Sequence, residues 1–234
     1  MTGEAGFTSE ETEARKQKSQ GFYMGVDLGQ ARDYTAIVVI EMVRFTSGQE
    51  LVTELHLRHC ERLPLGTSYE DITRHIKNLL MPFEDEKREL TLIVDATGVG
   101  RPVIDSFKED HLEPVPITVT GGLTASYDKG EWHVPKRDLV AAAKVLLGKG
   151  QLKIAQGMPF GAVLINELQN FHVKVNLNTG HDSYEAWREG ARDDLVFAVS
   201  LACWYALKQK KKKRITGVMP IIGKVEKRRD WMML

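Results

Sequence analysis

Four aspartates occupy positions where apolar segments of the sequence end or begin. Asp27 closes the apolar run in GVDLG, Asp95 closes the run in LIVDATG, and Asp193–Asp194 precede a long apolar stretch. Each has a structural explanation by itself, because strand-end aspartates often begin turns and aspartates at a helix start act as caps. Two of them on adjacent strands, with a third on a helix packed against the same end of the sheet, would instead bring three or four carboxylate ligands to one point.

The ligand chemistry of such a cluster favours a hard divalent cation. Oxygen-only donors suit Mg²⁺ or Mn²⁺, and the sequence contains no His and Cys set with the spacing of a zinc site. The carboxylates repel one another when no ion is bound, so a cation is their natural occupant. A two-metal site favours phosphoryl transfer, because one ion activates water while the second stabilises the leaving oxygen.

The elements that must position these aspartates follow from the hydrophobic pattern. Runs rich in apolar and β-branched residues predict five strands, within residues 22–29, 34–45, 50–63, 90–96 and 115–120. Caps and apolar spacing predict helices from Ser68 to Pro82, over 102–110, from Pro135 to Gly148, over 160–170, and from Asp193 onward. Residues 171–187 are predicted to form a hairpin around Asn178–Gly180.

The predicted order βββαβαβα constrains the topology. Three strands joined by short connections form an antiparallel meander, and each later strand reached through a helix lies parallel to its neighbour. The sequence therefore predicts an α/β fold with a mixed five-stranded sheet, three antiparallel strands followed by parallel strands, and helices on both faces.

Composition and charge exclude several classes of protein. The 234 residues include 32 Lys plus Arg, 32 Asp plus Glu and 42% hydrophobic residues, which excludes a disordered chain, collagen and a membrane bundle. Residues 208–234 hold ten basic and two acidic residues, so the rest of the chain is acidic. A basic tail fits an anionic partner such as nucleic acid, and it equally fits a solvated tail.

Cysteine usage and the two ends of the chain indicate its compartment. Cys60 and Cys203 are too few for a disulfide framework, and the first 20 residues contain no apolar segment typical of a signal peptide. The longest apolar stretch, residues 195–207, is shorter than the roughly 18 to 20 residues that a membrane span needs. We expect a reducing, cytoplasmic setting and no membrane partner.

Four motifs in register resemble one family. GVDLGQARDYTAIVV, LIVDATGVG, VPKRDLV and GARDDLVFAVSLA are similar, in this order, to the nuclease domain of viral large terminase subunits, the DNA-packaging motors of tailed phages. The resemblance implies a ribonuclease H-like fold and a metal-dependent endonuclease that cuts concatemeric double-stranded DNA during packaging. It makes Asp27 and Asp95 metal ligands and Asp193–Asp194 the acidic pair of the last helix, with Asp194 preferred as ligand and Asp193 supporting.

The resemblance also implies partners and a division of the chain. The partners are a packaging ATPase, a portal and a small terminase subunit, in the host cytoplasm. We expect a flexible arm over residues 1–21, the nuclease domain over 22–207 and a basic tail over 208–234. No GxxxxGK[ST] motif is present, so DNA translocation is not assigned to this chain. A domain cut from a longer terminase and a stand-alone nuclease both fit this arrangement.

Three other classes of protein remain as alternatives. An ATP-binding protein of the actin, Hsp70 and sugar-kinase superfamily also carries DxG on its first strand, although about 185 ordered residues are few for its two halves. A non-catalytic DNA-binding or assembly module would keep the fold without the activity. A Holliday-junction resolvase or integrase core belongs to the same nuclease class.

Further residues have both a DNA-contact and a structural interpretation: Lys136, Arg137, Arg188, Arg192, Trp132, Trp187, His133 and His181.

Overall fold

The computed structural model describes residues 17–29, 33–98, 100–177, 193–213 and 231–232. Its strands are β1 (Lys18–Asp27), β2 (Ala36–Ser47), β3 (Glu50–Arg62), β4 (Leu90–Asp95), β5 (Val115–Thr120), β6 (Ser126–Asp128), β7 (Glu131–Pro135), β8 (Leu152–Ala155) and β9 (Trp231–Met232). Its helices are α1 (Tyr69–Asp85), α2 (Gly100–Glu109), α3 (Lys136–Gly148), α4 (Gly161–Leu177) and α5 (Asp194–Lys213).

The five predicted strands form the centre of one mixed sheet. They lie side by side in the order β3-β2-β1-β4-β5. β1, β2 and β3 are antiparallel, β4 is parallel to β1, and β5 is parallel to β4. The predicted α/β class and the mixed pairing are therefore confirmed.

The predicted number of strands is wrong, because the described residues form a nine-stranded sheet. β7 and β6 extend it beyond β5, and β8 and β9 extend it beyond β3. β6 and β7 are joined by the two-residue turn Lys129–Gly130, in which both residues have positive φ, 47° and 89°. Lysine is rarely found in that conformation, so the segment has no strong hairpin signal in its sequence.

Two element boundaries also differ from the predictions. β1 begins at Lys18, earlier than the predicted start at Phe22. α1 continues past Pro82 to Asp85, because proline removes one backbone donor close to the end of the helix, where few hydrogen bonds depend on it.

The predicted hairpin over 171–187 is wrong in its first half. Residues 171–177 continue α4, since the local alternation of Val173 and Val175 is too short to override the helix that precedes it. The remainder, residues 178–187, lies outside the described residues.

The two ends of the chain lie only partly within the described residues. Residues 1–16 of the predicted arm and 214–230 of the predicted tail are outside them. Residues 208–213 of the tail continue α5, and Trp231–Met232 pair with β8 at the edge of the sheet. The predicted tail therefore contributes a helix end and an edge strand.

Helices cover both faces of the sheet, as predicted. Tyr23 and Ile93 pack with residues of α3, α4 and α5, on what is here called the α5 face. Met24 and Val94 point to the opposite face and pack with α1 and α2. Because side chains alternate along a strand, the odd-numbered residues at the ends of β1 and β4 also point to the α5 face.

Two findings concern the cysteines and the helices of the described residues. Cys60 and Cys203 are both free and buried, and burial raises the pKa of the Cys60 thiol to about 12. No helix in the described part of the chain is both long and apolar enough to cross a membrane.

α5 lies in direct backbone contact with β1 at Gly25. A Cβ atom placed on Gly25 would lie 2.2 Å from the carbonyl oxygen of Ala198 and 3.1 Å from the Cβ of Ala202. Ala198 and Ala202 are themselves fully buried. Small residues on both sides of this contact therefore allow the helix to approach the strand closely.

We expect Gly25→Ala to lower the free energy of unfolding by roughly 1–3 kcal/mol, because the added methyl group overlaps the Ala198 carbonyl. Urea unfolding followed by circular dichroism measures this difference. Gly148→Ala is the matched control, since a Cβ there meets nothing within 4 Å. Equal stability of the Gly25→Ala and parent proteins would contradict the close approach.

Candidate active site

Asp27 and Asp95 lie side by side at one end of the sheet. Each is the last residue of its strand, and the two strands are parallel with Val26 opposite Val94. Backbones of adjacent strands are about 4.8 Å apart. Asp95 is buried and Asp27 is half-buried. The predicted adjacency of these two strand ends is therefore present, on the α5 face.

The Asp95 carboxylate is held by the turn that follows β4. Its Oδ1 accepts a hydrogen bond of 2.7 Å from the backbone N–H of Thr97. The Thr97 hydroxyl accepts a hydrogen bond of 2.8 Å from the backbone N–H of Val119 on β5. Two consecutive contacts thus fix the end of β4 against its neighbour, which limits the freedom of the Asp95 side chain.

Residues paired across neighbouring strands connect Asp27 to the positively charged side chain of Arg62. Asp27 is paired with Ala36 on β2, and Ala36 is paired with Arg62 on β3. Arg62 is the last residue of β3, and its side chain is 10% exposed. Paired residues point to the same face, so Arg62 lies on the α5 face two strands from Asp27.

The acidic pair opens α5, as predicted. Asp193 precedes the helix, and its carbonyl accepts a hydrogen bond of 2.9 Å from the N–H of Phe197. Asp194 is the first helical residue, and its Oδ2 lies 3.2 Å from Nη2 of Arg62. This ion pair directs the Asp194 carboxylate towards the sheet end that carries Asp27.

Glu167 is a further carboxylate of this site that sequence reasoning missed. It lies in α4, is 6% exposed, and its Oε1 accepts a hydrogen bond from Arg62. Its Oε2 accepts a hydrogen bond of 3.2 Å from the N–H of Val196 in the first turn of α5. The only sequence signal is a charged residue inside the mostly apolar segment VLINEL, which does not reveal its partners.

The environment of Glu167 favours its protonated form. Burial raises the pKa of the Glu167 carboxyl to about 7, and the nearby charges of Asp194 and Asp193 act in the same direction. The Arg62 guanidinium and the Val196 N–H lower this pKa but do not offset burial. The site therefore contains a carboxyl group that titrates close to neutral pH.

The described residues contain no preformed set of three or more His, Cys, Asp or Glu side chains that could hold a metal ion. The donors around this sheet end are nevertheless all carboxylates, whose oxygen atoms suit Mg²⁺ or Mn²⁺. The ligand set Asp27, Asp95 and Asp194, with Asp193 supporting, stays a prediction. The position of its third member, Asp194, depends on the contacts that fix the first turn of α5.

Of the other candidate residues, Arg137 and Trp132 have local partners, and four lie outside the described residues. Arg137 donates a hydrogen bond to the carbonyl of Leu123 and lies 3.6 Å from the carboxylate of Asp138. Trp132 packs edge-on against Trp204, with ring centroids 5.4 Å apart. Arg188, Arg192, Trp187 and His181 lie outside the described residues.

We expect Glu167→Gln to change the pH dependence of stability. The unfolded state loses the Glu167 proton near pH 4.5 and the folded state near pH 7, so the folded state is progressively disfavoured as pH rises between these values. The parent protein should lose on the order of 3 kcal/mol relative to the Gln variant across this window. Urea unfolding of both proteins from pH 4 to pH 8 measures the difference. Parallel curves would show that the Glu167 pKa is not raised.

Comparison with known proteins gives this arrangement a family. No curated protein matches the chain. A family model described as a terminase RNaseH-like domain matches residues 24–205, which include β2 to β5, the end of β1 and the greater part of α5. The matched residues also contain Asp27, Asp95, Asp193 and Asp194. The chain therefore belongs to the terminase RNaseH-like domain family, whose role is of the terminase nuclease type.

Proposed function

We propose that this chain is a metal-dependent endodeoxyribonuclease of the terminase type, which cuts concatemeric viral DNA during genome packaging. The observation that carries the proposal is the placement of Asp27 and Asp95 at the ends of adjacent parallel strands, with the acidic start of α5 on the same face. Family membership supports the nuclease type in general.

The proposed cofactor is Mg²⁺ or Mn²⁺ at a two-metal site. Asp27, Asp95 and Asp194 are the proposed ligands, and Asp193 supports them. When bound, the metal ions would activate a water molecule and stabilise the leaving oxygen of the phosphodiester.

The chain itself contributes charge and orientation to the proposed reaction. Several carboxylates close together raise one another's pKa, and Arg62 partly offsets this repulsion through Glu167 and Asp194. The positive end of the α5 dipole lies at the same place and stabilises negative charge there. Both features lower the electrostatic cost of placing the Asp194 carboxylate close to the other carboxylates.

The proposed partners follow from the family. Double-stranded DNA is the proposed substrate. A packaging ATPase, a portal and a small terminase subunit are the proposed protein partners, and the host cytoplasm is the proposed location. The main alternatives are a non-catalytic DNA-binding or assembly module and an ATP-binding protein of the actin type, and the activity test below separates both from the nuclease.

The purified protein is expected to nick or cut plasmid DNA in Mg²⁺ or Mn²⁺, and to leave it intact in EDTA. Asp27→Asn and Asp95→Asn should each remove most of the activity, because each loses a charged metal ligand. Both variants should stay folded, since removing one charge relieves repulsion among the carboxylates. Agarose gels of plasmid cleavage, with circular dichroism of each variant, measure these outcomes.

Asp105→Asn is the control for this experiment, because Asp105 is an exposed residue of α2 that lies 3.7 Å from Lys108. It should cut like the parent. If Asp27→Asn cuts as fast as the parent at matched metal and salt, cleavage does not depend on the proposed site and the proposal is wrong at that site. A parent that does not cut in Mg²⁺ or Mn²⁺ favours the assembly module. Comparing Asp193→Asn with Asp194→Asn identifies the ligand of the pair, and we expect Asp194→Asn to lose more activity.

The basic run Lys210–Arg214 is expected to add DNA affinity without sequence specificity, because contacts from lysine and arginine to phosphates carry no sequence information. Replacing all five residues by Gln should weaken DNA binding. It should also reduce the magnitude of the slope of log affinity against log salt concentration, by up to about 0.9 for each phosphate that the variant no longer neutralises. Fluorescence anisotropy across a salt series measures the slope. The matched control replaces Lys210–Lys213 by Arg, which retains the charge and should retain the slope. An unchanged slope in the Gln variant would exclude this segment from DNA binding.

A further inference from the structure

The first turn of α5 is tied to two other elements through one pair of side chains, Arg62 and Glu167. Arg62, at the end of β3, donates to Glu167 in α4 and lies 3.2 Å from the Asp194 carboxylate. Glu167 accepts a hydrogen bond of 3.2 Å from the N–H of Val196. The side chain of Glu167 thereby satisfies a backbone donor that has no partner within its own helix.

The ion pair between Arg62 and Glu167 is almost completely buried, and its contribution to stability does not by itself explain why it is there. The side chains of Arg62 and Glu167 are 10% and 5% exposed, and the Arg62 guanidinium also lies 5.2 Å from the centroid of the Tyr34 ring. Buried ion pairs often stabilise a protein no more than well-packed apolar residues of the same size. Their hydrogen bonds do, however, fix the relative position of the elements that carry them.

We propose that Arg62 and Glu167 are positioning residues for the third metal ligand. They fix the first turn of α5, and through it Asp194, relative to Asp27 and Asp95 on the sheet. This inference rests on the proposed function, because it assumes that Asp194 is a ligand. It differs from a simple counter-charge role, in which Arg62 only neutralises nearby carboxylates and competes with the metal ion.

A charge-neutral double variant separates positioning from electrostatics. Arg62→Met/Glu167→Met removes the guanidinium together with a carboxyl whose pKa is about 7, so the net charge of the site is unchanged when both proteins are compared above that pH. It also removes the acceptor of the Val196 N–H. The control is Arg58→Met/Glu41→Met, which removes another pair between β3 and β2, with a hydrogen bond of 2.8 Å from Arg58 Nε to Glu41. Glu41 is five residues from Ala36, or about 16 Å along β2.

The primary measurement is Mn²⁺ binding by calorimetry in the absence of DNA. We expect the Arg62/Glu167 double variant to bind Mn²⁺ about tenfold more weakly than the parent, the lower end of what residues that orient metal ligands contribute. The Arg58/Glu41 control should bind like the parent. Hydrogen exchange should be faster at the Val196 amide in the first double variant and unchanged in the control.

Unchanged Mn²⁺ affinity in the Arg62/Glu167 double variant would overturn the inference, and so would tighter binding, since that result indicates competition. Thermal unfolding of each protein establishes that it is folded. If the double variant does not fold, Arg62→Lys replaces it, because lysine retains the charge but cannot contact both carboxylates in the same geometry. Weaker binding by Arg62→Lys supports positioning, and parent-like binding contradicts it.

Failure of the inference and failure of the proposed function are distinguishable. If the parent binds no Mn²⁺ and does not cut DNA, the proposed function is wrong. If the parent binds Mn²⁺ and the double variant binds it equally well, the function stands and only the positioning role is wrong.

Discussion

The close contact between α5 and β1 is the constraint on which the rest of the site depends. The helix touches the strand backbone at Gly25, where the carbonyl of Ala198 occupies the space that a Cβ would need. A helix held this close to the centre of the sheet has little freedom to slide, because any larger side chain at the contact would overlap. Its first residue, Asp194, is one turn before Ala198, so the position of the acidic helix start follows from this contact.

Charge compensation is the second constraint, and it comes from a strand outside the aspartate motifs. The end of β3 places Arg62 in the same row as Asp27, and the guanidinium contacts Glu167 and Asp194. Without a cation, several carboxylates at one sheet end would raise one another's pKa and disfavour the folded state. Arg62 lowers this cost in the absence of metal, whereas the buried Glu167 carboxyl still has a raised pKa.

The elements that local patterning specifies strongly were predictable, and those that depend on neighbours were not. The five central strands are long apolar or alternating runs, and their order and pairing follow from the short connections and the intervening helices. The short strands β6 and β8 have little pattern of their own and gain their hydrogen bonds from the edges of an existing sheet. Residues 171–177 show the reverse case, because two alternating valines suggest a strand while the preceding helix continues through them.

The sequence by itself determined the fold class, the ends of the two strands that carry Asp27 and Asp95, and the acidic pair at the start of the last helix. These features are local, since each aspartate directly follows or precedes an apolar run whose periodicity is visible in the sequence. Only the tertiary structure decided that Arg62 and Glu167 meet Asp194. Residues 62, 167 and 194 are far apart in the chain, and a side-chain contact over such separations depends on strand register and helix placement, which no local pattern encodes.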